Sequence, residues 1–173
     1  MKTLKSKTAP KDEAVNSPPA PRGIKSILVP VDFSKASLKA LVYAESLCQQ
    51  FDATMTLLYV IEPLGAADFM YAFPLTLGED EMRAKAKASV EKFARKNRVK
   101  RSLVEKVLVR NGRPFHEISE AARTLKVDLI VISTHGYSGL NHAIMGSVTE
   151  RVVRHAPCPV LVVRESERDF IST

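Results

Sequence analysis

The sequence predicts an α/β domain built on a parallel sheet, and three observations carry that expectation. Short apolar runs of strand length alternate with stretches whose apolar residues recur at helical spacing. The chain is 45% hydrophobic but only 6% aromatic, with no Trp. That aliphatic bias suits strands buried on both faces beneath helices. Finally, the apolar run Asp128 to Ile132 opens into STHGYSG (Ser133 to Gly139) and then MGSVTE (Met145 to Glu150). A strand that breaks into small residues ahead of a helix is how α/β domains build an oxygen-binding cradle, because glycine admits close backbone approach and a helix start offers unpaired N–H groups.

At 173 residues the chain fits one domain with a core large enough to fold without staples. Residues 1–23 hold Pro10, Pro18, Pro19 and Pro21 among Lys, Ser and Ala, and read as a disordered basic tail dispensable for binding and assembly. The domain spans 24–165, and 166–173 form a short C-terminal tail. Strand one is Ser26 to Val31, ended by Asp32 and Ser34, either of which can cap the following helix. That helix carries Leu38, Leu41, Val42 and Cys48 on its inner stripe, widened by Ala40, Ala44, Leu47 and Phe51. Thr54 to Ile61 is strand two.

Residues 62–78 form a long loop around Phe69, Met70, Tyr71 and Phe73, fit either to cover a ligand or partner or to close the sheet edge. A helix from Glu79 to about Asn97 is acidic at its start and basic at its end, with Met82, Ala86, Val90 and Phe93 inward. Leu103 to Val109 is strand three. Pro114 sits at the first position of the next helix, whose inner face is Phe115, Ile118, Ala122 and Leu125. Leu129 to Ser133 is strand four. A short helical turn around Asn141 to Met145 follows the glycine loop. Ser147 is the expected N-cap of a helix to His155, with Glu150 completing a capping box. Val160 to Val163 is strand five.

The net charge of +7 raises nucleic-acid binding, but five basic against two acidic residues in 1–23 supply +3 of it. The remainder is scattered, and no basic groove with interleaved aromatics appears. Charge therefore carries no nucleic-acid function. Cys48 and Cys158 lack disulfide or metal spacing, and His116, His142 and His155 lack it too, so no metal site is expected. No apolar run reaches the ~20 residues of a membrane span, and no secretory segment opens the chain, which reads as cytoplasmic. The glycine loop has no Walker lysine and no obvious magnesium-binding carboxylate pair. No catalytic residue is assigned, and any hydrolysis is expected to be slow.

The opening ILVPVDFS (Ile27 to Ser34), the segment STHGYSGLNHAIMGSVTERVVRHAPCPVLVV (Ser133 to Val163) and the spacing between them resemble the universal stress protein family. The resemblance implies a Rossmann-like sheet of strand order 3-2-1-4-5 and a homodimer, with Val160, Leu161, Val162 and Val163 on the edge strand that pairs with its twin. It also implies an ATP-binding regulator of the stress response, with or without Mg2+, acting on an unidentified protein partner. AMP or another adenine nucleotide would fit the same residues.

The ATP-binding signature of the family is Gly, two residues, Gly, nine residues, then Gly-Ser or Gly-Thr. Gly136 matches the second glycine and Gly146-Ser147 the close, while Ser133 replaces the first glycine. By this resemblance Pro30 and Asp32 line the adenine and ribose side, and Val60 touches the base. Gly136, Tyr137, Ser138, Gly146, Ser147, Val148 and Thr149 surround the phosphates, with Gly139 in the same loop. His135 either donates to the ligand or braces the loop backbone. Two alternatives stay open: a stress protein that binds no nucleotide and works through dimer contacts, and a slow ATPase.

Overall fold

Five parallel strands lie in the order β3-β2-β1-β4-β5 in the computed structural model, which describes residues 23–63, 78–134 and 145–165. The N-terminal tail, the aromatic loop, His135 to Gly139, the turn at Asn141 and the C-terminal tail lie outside the described residues, wholly or nearly so. β1 (Ser26–Pro30) is central, β2 (Thr54–Ile61) and β3 (Val104–Asn111) lie to one side, and β4 (Leu129–Ser133) and β5 (Val160–Val163) lie to the other. Four helices connect them: α1 (Lys35–Phe51), α2 (Glu79–Lys96), α3 (Pro114–Leu125) and α4 (Ser147–His155).

Strand alternation divides the core in two. Successive side chains point to opposite faces, so Ile27, Val29, Met55, Leu57 and Val131 join Leu41, Cys48 and Val90 on the α1 and α2 face. Leu28, Leu58, Ile130 and Ile132 join Ile118, Ala122 and Val152 on the α3 and α4 face. Near-continuous apolar runs are what a strand covered on both faces requires.

Local chemistry sets the helix limits. Ser34 is the N-cap of α1, its Oγ accepting from the Ser37 N–H at 3.0 Å. Asp32 supports that cap: its Oδ1 accepts from the Ser34 N–H at 3.0 Å and from the Ser34 hydroxyl at 2.6 Å. At the other end Asp52 turns left-handed, and the Lys25 Nζ donates to the carbonyls of Phe51 and Asp52 at 3.4 and 3.1 Å. Pro114 opens α3, where its missing N–H costs no helical bond.

Several expectations need correction. Phe51 is exposed, because α1 has run past the sheet by its last turn, while Tyr43 is buried in a place the helical pattern did not give it. Leu38 and Val42 are half-buried, at the margin of the stripe. In α2 only Val90 and Ala94 are buried; Met82, Ala86 and Phe93 are half-buried, since the helix's N-terminal half extends beyond the strands. β1 ends at Pro30, which has no N–H for the ladder, and a 3-10 turn at Arg101–Leu103 delays β3.

Ser147 is not the N-cap of α4. Gly146 holds that position, no side chain caps the helix, and Glu150 pairs instead with Arg154 at 2.9 Å. The Gly146 carbonyl already accepts the first helical bond, from the Glu150 N–H at 3.0 Å, which puts Ser147 inside the first turn.

Burial makes Cys48 inert. It is fully buried, and loss of solvation, helped by nearby Glu45, pushes its thiol up from 9.0 to about 11. At pH 8 only about one thiol in a thousand is then ionised, so Cys48 should resist thiol reagents in the native protein and react on unfolding. The half-buried Cys158, also raised by desolvation, should label first. Because the folded pKa is the higher one, the stability linked to Cys48 is full below pH 9.0 and is lost as pH rises toward 11. Mass spectrometry of timed alkylation would check the order.

Candidate functional site at the carboxyl ends of the strands

The chain runs from β1 outward through β2 and β3, then crosses to β4 on the other side of β1. Adjacent connections therefore leave the sheet in opposite directions at β1 and β4, and a crevice opens beyond their carboxyl ends. A cleft of about 610 Å³ occupies this place. Pro30 and Asp32 reach it from the end of β1, Val60 from β2, Ser133 from β4, and Gly146, Ser147, Val148 and Thr149 from the start of α4. His135, Gly136, Tyr137, Ser138 and Gly139 lie outside the described residues.

Three hydrogen bonds fix the β4 side. The Gly146 N–H donates to the Thr134 carbonyl at 2.8 Å, so the chain leaving β4 and the chain entering α4 meet directly. The Thr134 N–H donates to the Val163 carbonyl at 3.0 Å, tying the same corner to β5. The buried Thr149 hydroxyl donates to the Ser133 carbonyl at 2.7 Å. Replacing Thr149 with the isosteric Val would leave that buried carbonyl without this donor, so T149V should lose about 1–2 kcal/mol of stability in a urea titration. An unchanged urea midpoint would show that the bond contributes nothing.

The start of α4 faces the cleft without a side-chain cap. Its first-turn N–H groups have no helical acceptor, and the helix dipole makes that end attractive to an anion. The missing capping box is thus a feature of the site: a Ser147 cap would have consumed a donor that now faces the cleft. The opposite wall is apolar, formed by Pro30, Leu58, Val60 and Ile118. Among the described residues the lining contains two carboxylates, Asp32 and Glu62, and no lysine or arginine. Recognition of an anion here falls to neutral N–H and hydroxyl donors.

The lining also includes residues that sequence reasoning missed, notably Phe33, Tyr59, Glu62, Pro114 and Ile118. Glu62 and Tyr59 sit at the end of β2 beside Val60, and Pro114 starts a helix at the same end of the sheet. Their place at strand ends and helix starts was the available signal. No group of three or more His, Cys, Asp or Glu side chains gathers as a metal centre among the described residues. No described helix is long and apolar enough to cross a membrane.

The profile of the universal stress protein family matches residues 23–164. The chain belongs to that family. It is 36% identical over 150 residues to a universal stress protein of Methanocaldococcus jannaschii, a match spanning 84% of this chain and 85% of the relative. Among solved structures of universal stress proteins, UspA from Lactobacillus plantarum superposes with a TM-score of 0.66 at 31% identity, covering 83% of this chain and 100% of that one. A universal stress protein in complex with cAMP shares the fold at 22% identity and a TM-score of 0.57, covering 84% of this chain and 100% of that one.

Proposed function

We propose that this universal stress protein is a homodimeric regulator of the stress response that binds ATP, alone or with Mg2+, and hydrolyses it slowly or not at all. The observation that carries the reading is the uncapped start of α4, behind Gly146, facing a cleft whose other wall is apolar. Such a site suits a ligand with an anionic end and an apolar, planar end, and its volume falls in the range of small-molecule sites. Pro30, Asp32 and Val60 would hold the base and ribose, and Gly146, Ser147, Val148 and Thr149 the phosphates, with the glycine-loop residues Ser133 and His135 to Gly139 completing the cradle. The cAMP complex speaks for the fold, and the nucleotide reading rests on the cleft itself.

Ser133, which stands where the ATP-binding signature has glycine, is only 6% exposed. Its side chain therefore takes little of the cleft surface, which supports binding despite the replacement. A bound phosphate would draw on the α4 N–H groups and hydroxyls, and neither wall offers a described lysine or arginine to stabilise a transferring phosphoryl group. Binding with little turnover follows. Bound nucleotide would alter the surface around the cleft, which is how occupancy would reach a protein partner.

Measuring ATP binding and hydrolysis on the same nucleotide-stripped sample separates the readings. The regulator binds with little turnover. A protein that acts through dimer contacts alone does neither, and an ATPase turns over in a manner dependent on Asp32 or His135.

A further inference from the structure

Phe33 is the least expected residue of the cleft. Its backbone is left-handed, with φ of 65°, a conformation that bulky side chains rarely adopt. The turn holds it there from both sides: Asp32 binds the Ser34 N–H and hydroxyl, and the Val31 N–H donates to the Leu58 carbonyl at 2.8 Å. Strain of this kind persists where the surroundings over-determine it. The ring it positions is not consumed by the core, since Phe33 remains 36% exposed. Tyr59 tilts against it at 5.0 Å between ring centres, and Phe93 meets it edge-on at 5.6 Å. Two rings anchored on β2 and α2 thus fix the orientation of a third that lines the cleft.

We propose that Phe33 is the stacking platform for the ligand's nucleobase and sets a preference for purine over pyrimidine nucleotides; this rests on the nucleotide reading above. Phe33 and Tyr59 stand at the β1 and β2 end of the cleft, and the α4 donors stand beyond β4. β2 and β4 flank β1, so these ends are roughly 10 Å apart, the sum of two strand spacings. A base on Phe33 therefore leaves room for a ribose and phosphates reaching α4. A pre-oriented aromatic face gains most from the larger π surface, which favours a purine.

The chain has no Trp, so Phe33→Trp installs a single fluorophore at the platform. ATP should quench it, and inorganic triphosphate should not. Phe33→Ala should bind ATP about tenfold more weakly, as loss of one base-aromatic stack implies. Its affinity for inorganic triphosphate should stay unchanged, and its preference for ATP over CTP should shrink. Phe33→Gly suits the left-handed backbone and serves as the ring-free variant if Phe33→Ala folds poorly. If wild type binds ATP and the ring-free variants bind it equally well, or lose triphosphate in the same proportion, the platform is refuted and the nucleotide reading stands. Wild type that binds no ATP refutes both.

Discussion

Gly146→Val should abolish ATP binding while leaving the dimer and the fold intact. Gly146 has φ of −60° and ψ of 145°, which valine adopts without strain, so the backbone of the turn does not require glycine. What glycine supplies is space. It is the N-cap of α4 and lines the cleft beside the helix's first N–H groups. A branched side chain there would stand where a phosphate must approach, and a helix N-terminus holds an anion only at hydrogen-bond distance. The expected readout is no calorimetric heat at ATP concentrations that saturate wild type, with an unchanged mass in light scattering. Normal ATP binding by the variant would mean that the phosphates sit elsewhere.

Val162→Lys should convert the dimer to monomers. β5 lies at the edge of the sheet, paired only with β4, and is a short run of four aliphatic residues. An exposed apolar edge invites association, and lysine is the residue natural edges use to prevent it. Val160, Leu161 and Val162 are half-buried within one chain, whereas Val163 is buried, so Val162 combines surface left for a partner with a tolerable place for a long side chain whose charge can reach water. Light scattering should report half the wild-type mass, with a thermal melt showing that the chain still folds. An unchanged mass would place the interface elsewhere.

Much of the fold was legible because its strands are continuous apolar runs closed by Pro, Asp or Ser. The limits of β4, β5 and α4 follow the sequence directly, since each is bounded by a sharp change from aliphatic to small or polar residues. The strand order came with the family resemblance, for alternation alone leaves the arrangement of parallel strands open. The burial of α1 and α2 was less legible, because a helical stripe shows which side turns inward but not how far the sheet extends beneath it. Phe51 and Met82 lie toward ends that the sheet does not cover.

At the cleft, positions tied to strand ends and to the start of α4 could be named from the sequence. The capping of α4 could not. Ser-x-x-Glu is a valid capping pattern, yet the same four residues also fit one position into the helix when a glycine precedes them, and Gly146 does. Phe33 and Tyr59 were missed for a tertiary reason: their meeting depends on a left-handed residue after β1 and on the register of β1 against β2. Neither signal is local.

The central claim is that the cleft between β1, β4 and α4 binds a nucleotide. Calorimetric titration of the nucleotide-stripped full chain with ATP and Mg2+ tests it most directly. Saturable binding near one ATP per chain is the expected result. No heat, together with no nucleotide released from the freshly purified protein on denaturation, would contradict the claim and leave the dimer surface as the place where this stress protein acts.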